Sequence, residues 1–126
     1  MSWARAHWLV GLLALLLFLS AGAYMRYVAV VPQLEDAPRM IYRSRFLFVL
    51  LAAVANFAMS GVPPAGRIQK AASALILAAP FPLVVSFLTD AGKGVQSSPW
   101  TVWTMRGLFA AALLLALAHR PRRKGL

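Results

Sequence analysis

The chain has 126 residues, a formal net charge of +10, 61% hydrophobic residues and no cysteine. Its mean hydropathy of +0.72 excludes a soluble globular domain, because a domain of this size buries only about two thirds of its unfolded surface and would leave a large apolar area in water. The missing cysteine excludes disulfides, thiol chemistry, thiolate metal sites and palmitoylation, and the basic residues gather at the ends of apolar runs and in the tail, which points to lipid headgroups rather than nucleic acid.

Uncharged runs near twenty residues match a hydrocarbon core of about 30 Å at about 1.5 Å per helical residue. Four such runs, at about 8–28, 40–62, 68–89 and 99–119, predict an all-α fold. The expected object is a polytopic membrane protein, a compact four-helix transmembrane bundle forming a single domain over residues 1–126.

The first run follows a short head in which Trp3, Arg5 and Trp8 form an interfacial anchor, and it closes at Tyr24, Arg26 and Tyr27. Ser20-Ala21-Gly22-Ala23 resembles the cleavage site of a secretory signal peptide. The apolar character continues past it through Val28-Ala29-Val30-Val31, so a retained span is expected. Residues 33–45 form the most polar interruption of the chain, with Glu35, Asp36, Arg39, Arg43 and Arg45. Pro32 and Pro38 bracket its start; proline fixes φ and removes a donor, which places the start of the second helix after Pro38. Arg39, Arg43 and Arg45 are expected to snorkel to phosphates from its interfacial first turns.

Within the second run Ala52, Ala53, Asn56 and Ser60 recur at helical spacing. Membrane helices associate through small residues and occasional polar cross-links, so Asn56 is expected to hydrogen-bond across the bundle or, alternatively, to line a ligand site. The segment from Gly61 to Gly66 reads as a turn, and Arg67 and Lys70 mark the second membrane face. The third run carries a small-residue side at Ala71, Ala74, Leu75 and Ala78, and Pro80 and Pro82 predict a kink around residues 78–82. Asp90, Gly92, Lys93 and Gly94 read as a loop; Trp100 and Trp103 anchor the fourth run, where Gly107 and Ala111 offer a close helix contact. His119, Arg120, Arg122, Arg123 and Lys124 make a basic tail.

An even number of spans puts both termini on one side. Seven basic residues fall there (Arg5, Arg67, Lys70 and four in the tail), against six at the other end: Arg26, Arg39, Arg43, Arg45, Lys93 and Arg106. The positive-inside rule then predicts a cell inner membrane protein with both termini cytoplasmic.

Arg106 lies inside the fourth run, where an unpaired guanidinium costs a few kcal/mol. Asp90 is its expected ion-pair partner, and Glu35 or Asp36 that of Arg26. The functional alternative is an outward-facing cleft of Arg26, Arg43 and Arg106 with Tyr24, Tyr27, Tyr42 and Trp103 as walls. Guanidinium forks suit phosphate or carboxylate, so the cleft would take an anionic lipid headgroup or an acidic partner segment. Catalytic signatures are thin: HExxH, GxSxG and phosphate-loop patterns are missing, and the two histidines, His7 and His119, sit at helix ends. No metal or cofactor is expected. Four spans in so short a chain resembles the small multidrug-resistance exporters in size, but their first-helix glutamate has no counterpart in residues 9–23. The composition therefore predicts a non-catalytic accessory or assembly subunit of a larger membrane complex. Its expected partners are lipids and other membrane subunits or a second copy. A small transporter or binder of an anionic lipid or solute is the runner-up.

Overall fold

The computed structural model describes residues 2–62, 64–93 and 98–118. Pro63, Gly94 and the basic tail from His119 onward lie outside the described residues. The first helix, α1 (Trp3–Tyr27), starts five residues before the apolar run does. Ser2 supplies the reason: its side-chain oxygen accepts the Arg5 N–H at 3.2 Å, capping the helix so that His7 falls inside it. α1 runs without a break through Ser20-Ala21-Gly22-Ala23. Val30 then takes a left-handed conformation, φ 49° and ψ 51°, and turns the chain into a single 3-10 turn over Val31–Gln33.

The second helix, α2 (Asp36–Ser60), begins earlier than proline chemistry suggested, since Pro38 is its third residue. The first N–H groups of a helix have no helical acceptor, so a proline there forfeits nothing. Asp36 and Arg39 pair one turn apart in the same segment. After the Gly61 turn come α3 (Arg67–Ala78) and α4 (Pro80–Lys93), separated at Ala79 where the two prolines predicted a kink. Asp90, Gly92 and Lys93, expected in a loop, are the last turn of α4. The final helix, α5 (Pro99–Ala118), opens on the expected tryptophan pair. Among the described residues the chain is all-helical, and four rods (α1, α2, α3 with α4, and α5) are each long and apolar enough to cross a membrane.

The packing follows from spacing. Along α1 the buried or half-buried face is His7, Gly11, Ala14, Phe18, Ala21 and Met25, steps of four and three that let one helix lie alongside another at a shallow angle. Rings from α2 fill the two glycine notches in this face: Phe57 lies 3.0 Å from where a Cβ of Gly11 would be, and Phe46 meets Gly22 while stacking on Phe18 at 4.1 Å. On α2 the buried row is Ile41, Arg45, Val49, Ala52, Asn56 and Met59. Ser73, Ile76, Pro80, Leu83, Phe87 and Asp90 continue one buried row straight across the break between α3 and α4.

α2 is central, flanked by α1 and α4, while α5 packs on α3 and α4. Ala111 is fully buried and Gly107 faces Leu75, so the small-residue contact on α5 forms. The small side expected on α3 does not face the bundle centre: Ala71, Ala74, Leu75 and Ala78 are exposed. Ser73 and Ile76 take the inward phase instead, and Leu75 and Ala78 only border a shallow furrow against Trp103 and Gly107.

Candidate functional site

Two buried polar clusters pin the rods together at opposite ends of α2. The first joins α1, α2 and α3. His7, Asn56 and Ser73 have no accessible surface. His7 Nδ1 lies 2.9 Å from Asn56 Oδ1, and Nε2 bonds the Ser73 hydroxyl. The Asn56 amide nitrogen donates to two main-chain carbonyls, Ala52 O at 2.9 Å and Ile76 O at 3.0 Å. Carbonyls only accept, so the orientation of this amide is fixed and Oδ1 must be the acceptor for His7. His7 Nδ1 therefore carries a proton, and in the neutral ring Nε2 accepts from Ser73. The bond to Ile76 O has a specific cause. Its helical donor would be the N–H of residue 80, which is a proline and has none. Asn56 replaces the lost donor from the neighbouring helix.

The Ser73–His7–Asn56 order has the connectivity of a nucleophile, its base and an orienting group. With Ser73 wholly enclosed, the cluster as packed is a three-helix cross-link. Asn56 thus makes the cross-bundle bond expected of it. His7 departs from the interfacial role its helix-end position suggested.

The second cluster joins α2, α4 and α5. Arg45 and Asp90 are 5% and 2% exposed, and Arg45 Nε donates to Asp90 Oδ2 at 2.8 Å. The Ser98 and Thr101 hydroxyls donate to the same oxygen at 3.0 and 3.2 Å. Ser98 also accepts the Thr101 N–H at 3.3 Å, so the residue that caps α5 anchors it to the ion pair. Arg45 further donates to Ser44 at 3.0 Å and lies over the Phe48 ring at 5.8 Å. A buried pair survives desolvation only when hydrogen bonds complete it in this way.

Asp90 is an ion-pair partner, as expected, but of Arg45 and not of Arg106. The face of α5 turned to Asp90 is occupied by Ser98 and Thr101, and Arg106 is five residues on from Thr101, about 140° round the helix. Arg106 is exposed on the outward side of α5 with its guanidinium 5.3 Å above the Trp103 ring. Arg26 likewise pairs with neither Glu35 nor Asp36: it lies over Tyr27 at 5.5 Å, Asp36 holds Arg39, and Glu35 is exposed.

The expected three-arginine cleft is therefore a two-arginine bowl. Arg26 and Arg43 line one cavity of about 540 Å³ between α1, α2 and the segment that joins them, with Phe46 in its wall. Arg106 and Trp103 belong to α5, whose backbone does not approach α1. Tyr42 faces another way, into an aromatic cluster with Phe87 at 5.6 Å and Tyr24 at 6.4 Å. Asn56 is eleven residues beyond Arg45 on α2, about 16 Å along the axis, and belongs to the far cluster.

Comparison of the chain with known families, curated proteins and solved structures gave no match. Function here rests on the site alone.

His7, Ser73 and Arg45 carry the two clusters, and residue type alone hid them. The signal was phase. Arg45 precedes Asn56 by eleven residues and Val49 by four, which puts it on the inward row of α2; His7 precedes Ala14 by seven.

Proposed function

We propose that this protein is a non-catalytic accessory or assembly subunit of a larger membrane complex, its four rods crossing a bacterial inner membrane as a bundle with both termini cytoplasmic. Arg106 is the observation that carries the reading. It stands seven residues after Pro99, about 10 Å along α5, on the outward side of an apolar rod. A guanidinium at such a place costs a few kcal/mol in lipid unless something offsets it, and the Trp103 ring 5.3 Å away returns only about 0.5–2 kcal/mol. Among the described residues no carboxylate does so: Asp90 and Asp36 hold Arg45 and Arg39, and Glu35 lies on the α1–α2 connection. A carboxylate or carbonyl on a neighbouring subunit is the counterpart that fits. Two further features support the reading. Among the described residues every buried side-chain polar atom already has a partner, so the interior polar groups tie the rods to one another. In addition, α5 leaves an apolar groove of about 390 Å³ against α2, bordered by Leu51, Ala55, Met59, Phe109 and Ala112.

Gentle nanodisc extraction followed by native mass spectrometry tests the proposal. The expected result is a complex with at least one other membrane protein, lost on Arg106→Leu while the bundle stays helical. A chain that emerges alone across several mild extractions overturns it.

A further inference from the structure

The bowl between α1 and α2 has a composition that differs from the rest of the surface. Two guanidinium groups, Arg26 and Arg43, open into it, both exposed, and among the described residues neither is within ion-pair distance of an acidic side chain. Gly22, whose missing side chain lets the Phe46 ring close in, forms an apolar base for the bowl together with Met25 and Phe46. Its roof is the segment after Val30, where Val31 packs at 2% exposure and Pro32 borders the opening. That roof is held by a β-branched residue at φ 49°, a conformation costing about 1–3 kcal/mol and maintained only where the surroundings impose it. Below the arginines the same helix faces turn apolar. Leu19, seven residues before Arg26, and Leu47, four after Arg43, are 58% and 56% exposed. Positive forks above an apolar track describe an amphiphile with an anionic head.

We infer that this bowl binds a phosphate group, and that the phosphate is the headgroup of an anionic membrane phospholipid whose chains run down the Leu19 and Leu47 faces. The two forks grip phosphate oxygens as charge-assisted hydrogen bonds. Met25 and Phe46 contact the glycerol and upper chain. A soluble phosphate would use the arginines but not the apolar track. The inference rests on the rods crossing a membrane and is independent of the accessory role and of Arg106.

Native mass spectrometry of the full chain in a mild non-ionic detergent, titrated with phosphatidylglycerol, phosphatidylcholine or inorganic phosphate, tests it. The expected result is one tightly retained phosphatidylglycerol, with phosphatidylcholine at least about tenfold weaker and inorganic phosphate unable to displace the lipid at equal concentration. Arg26→Gln and Arg43→Gln should each weaken phosphatidylglycerol about tenfold, as loss of one charge-assisted pair implies. Arg67→Gln, at the other end of the bundle, should change nothing. Both bowl arginines are exposed, so the variants keep the core, and helical content and melting measured alongside verify this. Should either fail to fold, Arg26→Lys, which keeps charge but loses the fork, is read in its place and should bind more weakly than wild type. Unchanged phosphatidylglycerol retention in a folded variant overturns the site. Displacement by inorganic phosphate overturns the lipid assignment. Loss of a protein partner with lipid retention intact bears on the accessory role alone.

Discussion

Single residues here do work that their chemical type does not announce. Asn56 is the clearest case, since one amide replaces the donor that Pro80 lacks, closes a carbonyl of its own helix and fixes the tautomer of His7. Asn56→Leu should therefore destabilise the bundle by about 2 kcal/mol, within the range for leaving buried polar groups unpaired and near the upper end of membrane hydrogen bonds. The dependence on Pro80 gives a sharper outcome. In the Asn56→Leu background, Pro80→Ala returns an N–H to Ile76 O and should recover about 1 kcal/mol. With Asn56 present, the same substitution should recover little. Denaturant titration of all four proteins in detergent measures the difference; equal effects of Pro80→Ala in both backgrounds would refute the exchange of donors. Sequence pattern sufficed for Asn56, because a lone amide in an apolar stripe has few other uses. It did not suffice for His7 or Arg45, whose polarity and nearness to helix ends made an interfacial position equally reasonable until their phase was compared with Ala14 and Asn56.

Between elements, the ion pair of Arg45 and Asp90 is the joint of α2, α4 and α5. Arg45→Met or Asp90→Leu alone should each cost about 3–5 kcal/mol, because the remaining charge is stranded in a dry interior. The double variant should cost much less than the sum, with the coupling read from a double-mutant cycle by thermal or denaturant unfolding. Additive losses would show that the two residues act separately. The helices themselves were legible from hydropathy, and the Ala79 break from Pro80 and Pro82. The start of α1 was not, because a capping serine outweighs the onset of apolarity. The pairing of Asp90 was not either. Proximity along the chain favoured Arg106, whereas the turn of α5 presents Ser98 and Thr101 to Asp90 and sends Arg106 outward.

For the whole molecule, the proposal that four rods cross a bilayer requires an even parity. A chain without cysteine suits labelling, and single cysteines at Ser2 and Leu126 should both react with an impermeant thiol reagent only from the cytoplasmic side. Opposite accessibility would remove one crossing and with it the relation between the two ends of the bundle. The candidate sites reflect that relation: the His7 cluster lies at the end of the termini, while the Arg45 pair and the Arg26–Arg43 bowl lie at the other. Composition placed the basic residues at membrane surfaces but could not divide them. Burial does so, separating Arg45, enclosed and paired, from Arg43 two residues earlier, exposed in the bowl.

The bond between His7 and Ser73 also has a consequence in time. The two residues are 66 positions apart, so the imidazole is synthesised well before the hydroxyl that completes its coordination. In a bilayer, α1 made before α3 would hold a polar ring that lipid cannot satisfy, and Asn56 of α2 is the partner that can meet it first. If the rods cross a membrane as proposed, insertion of α1 is thereby coupled to that of α2 and α3.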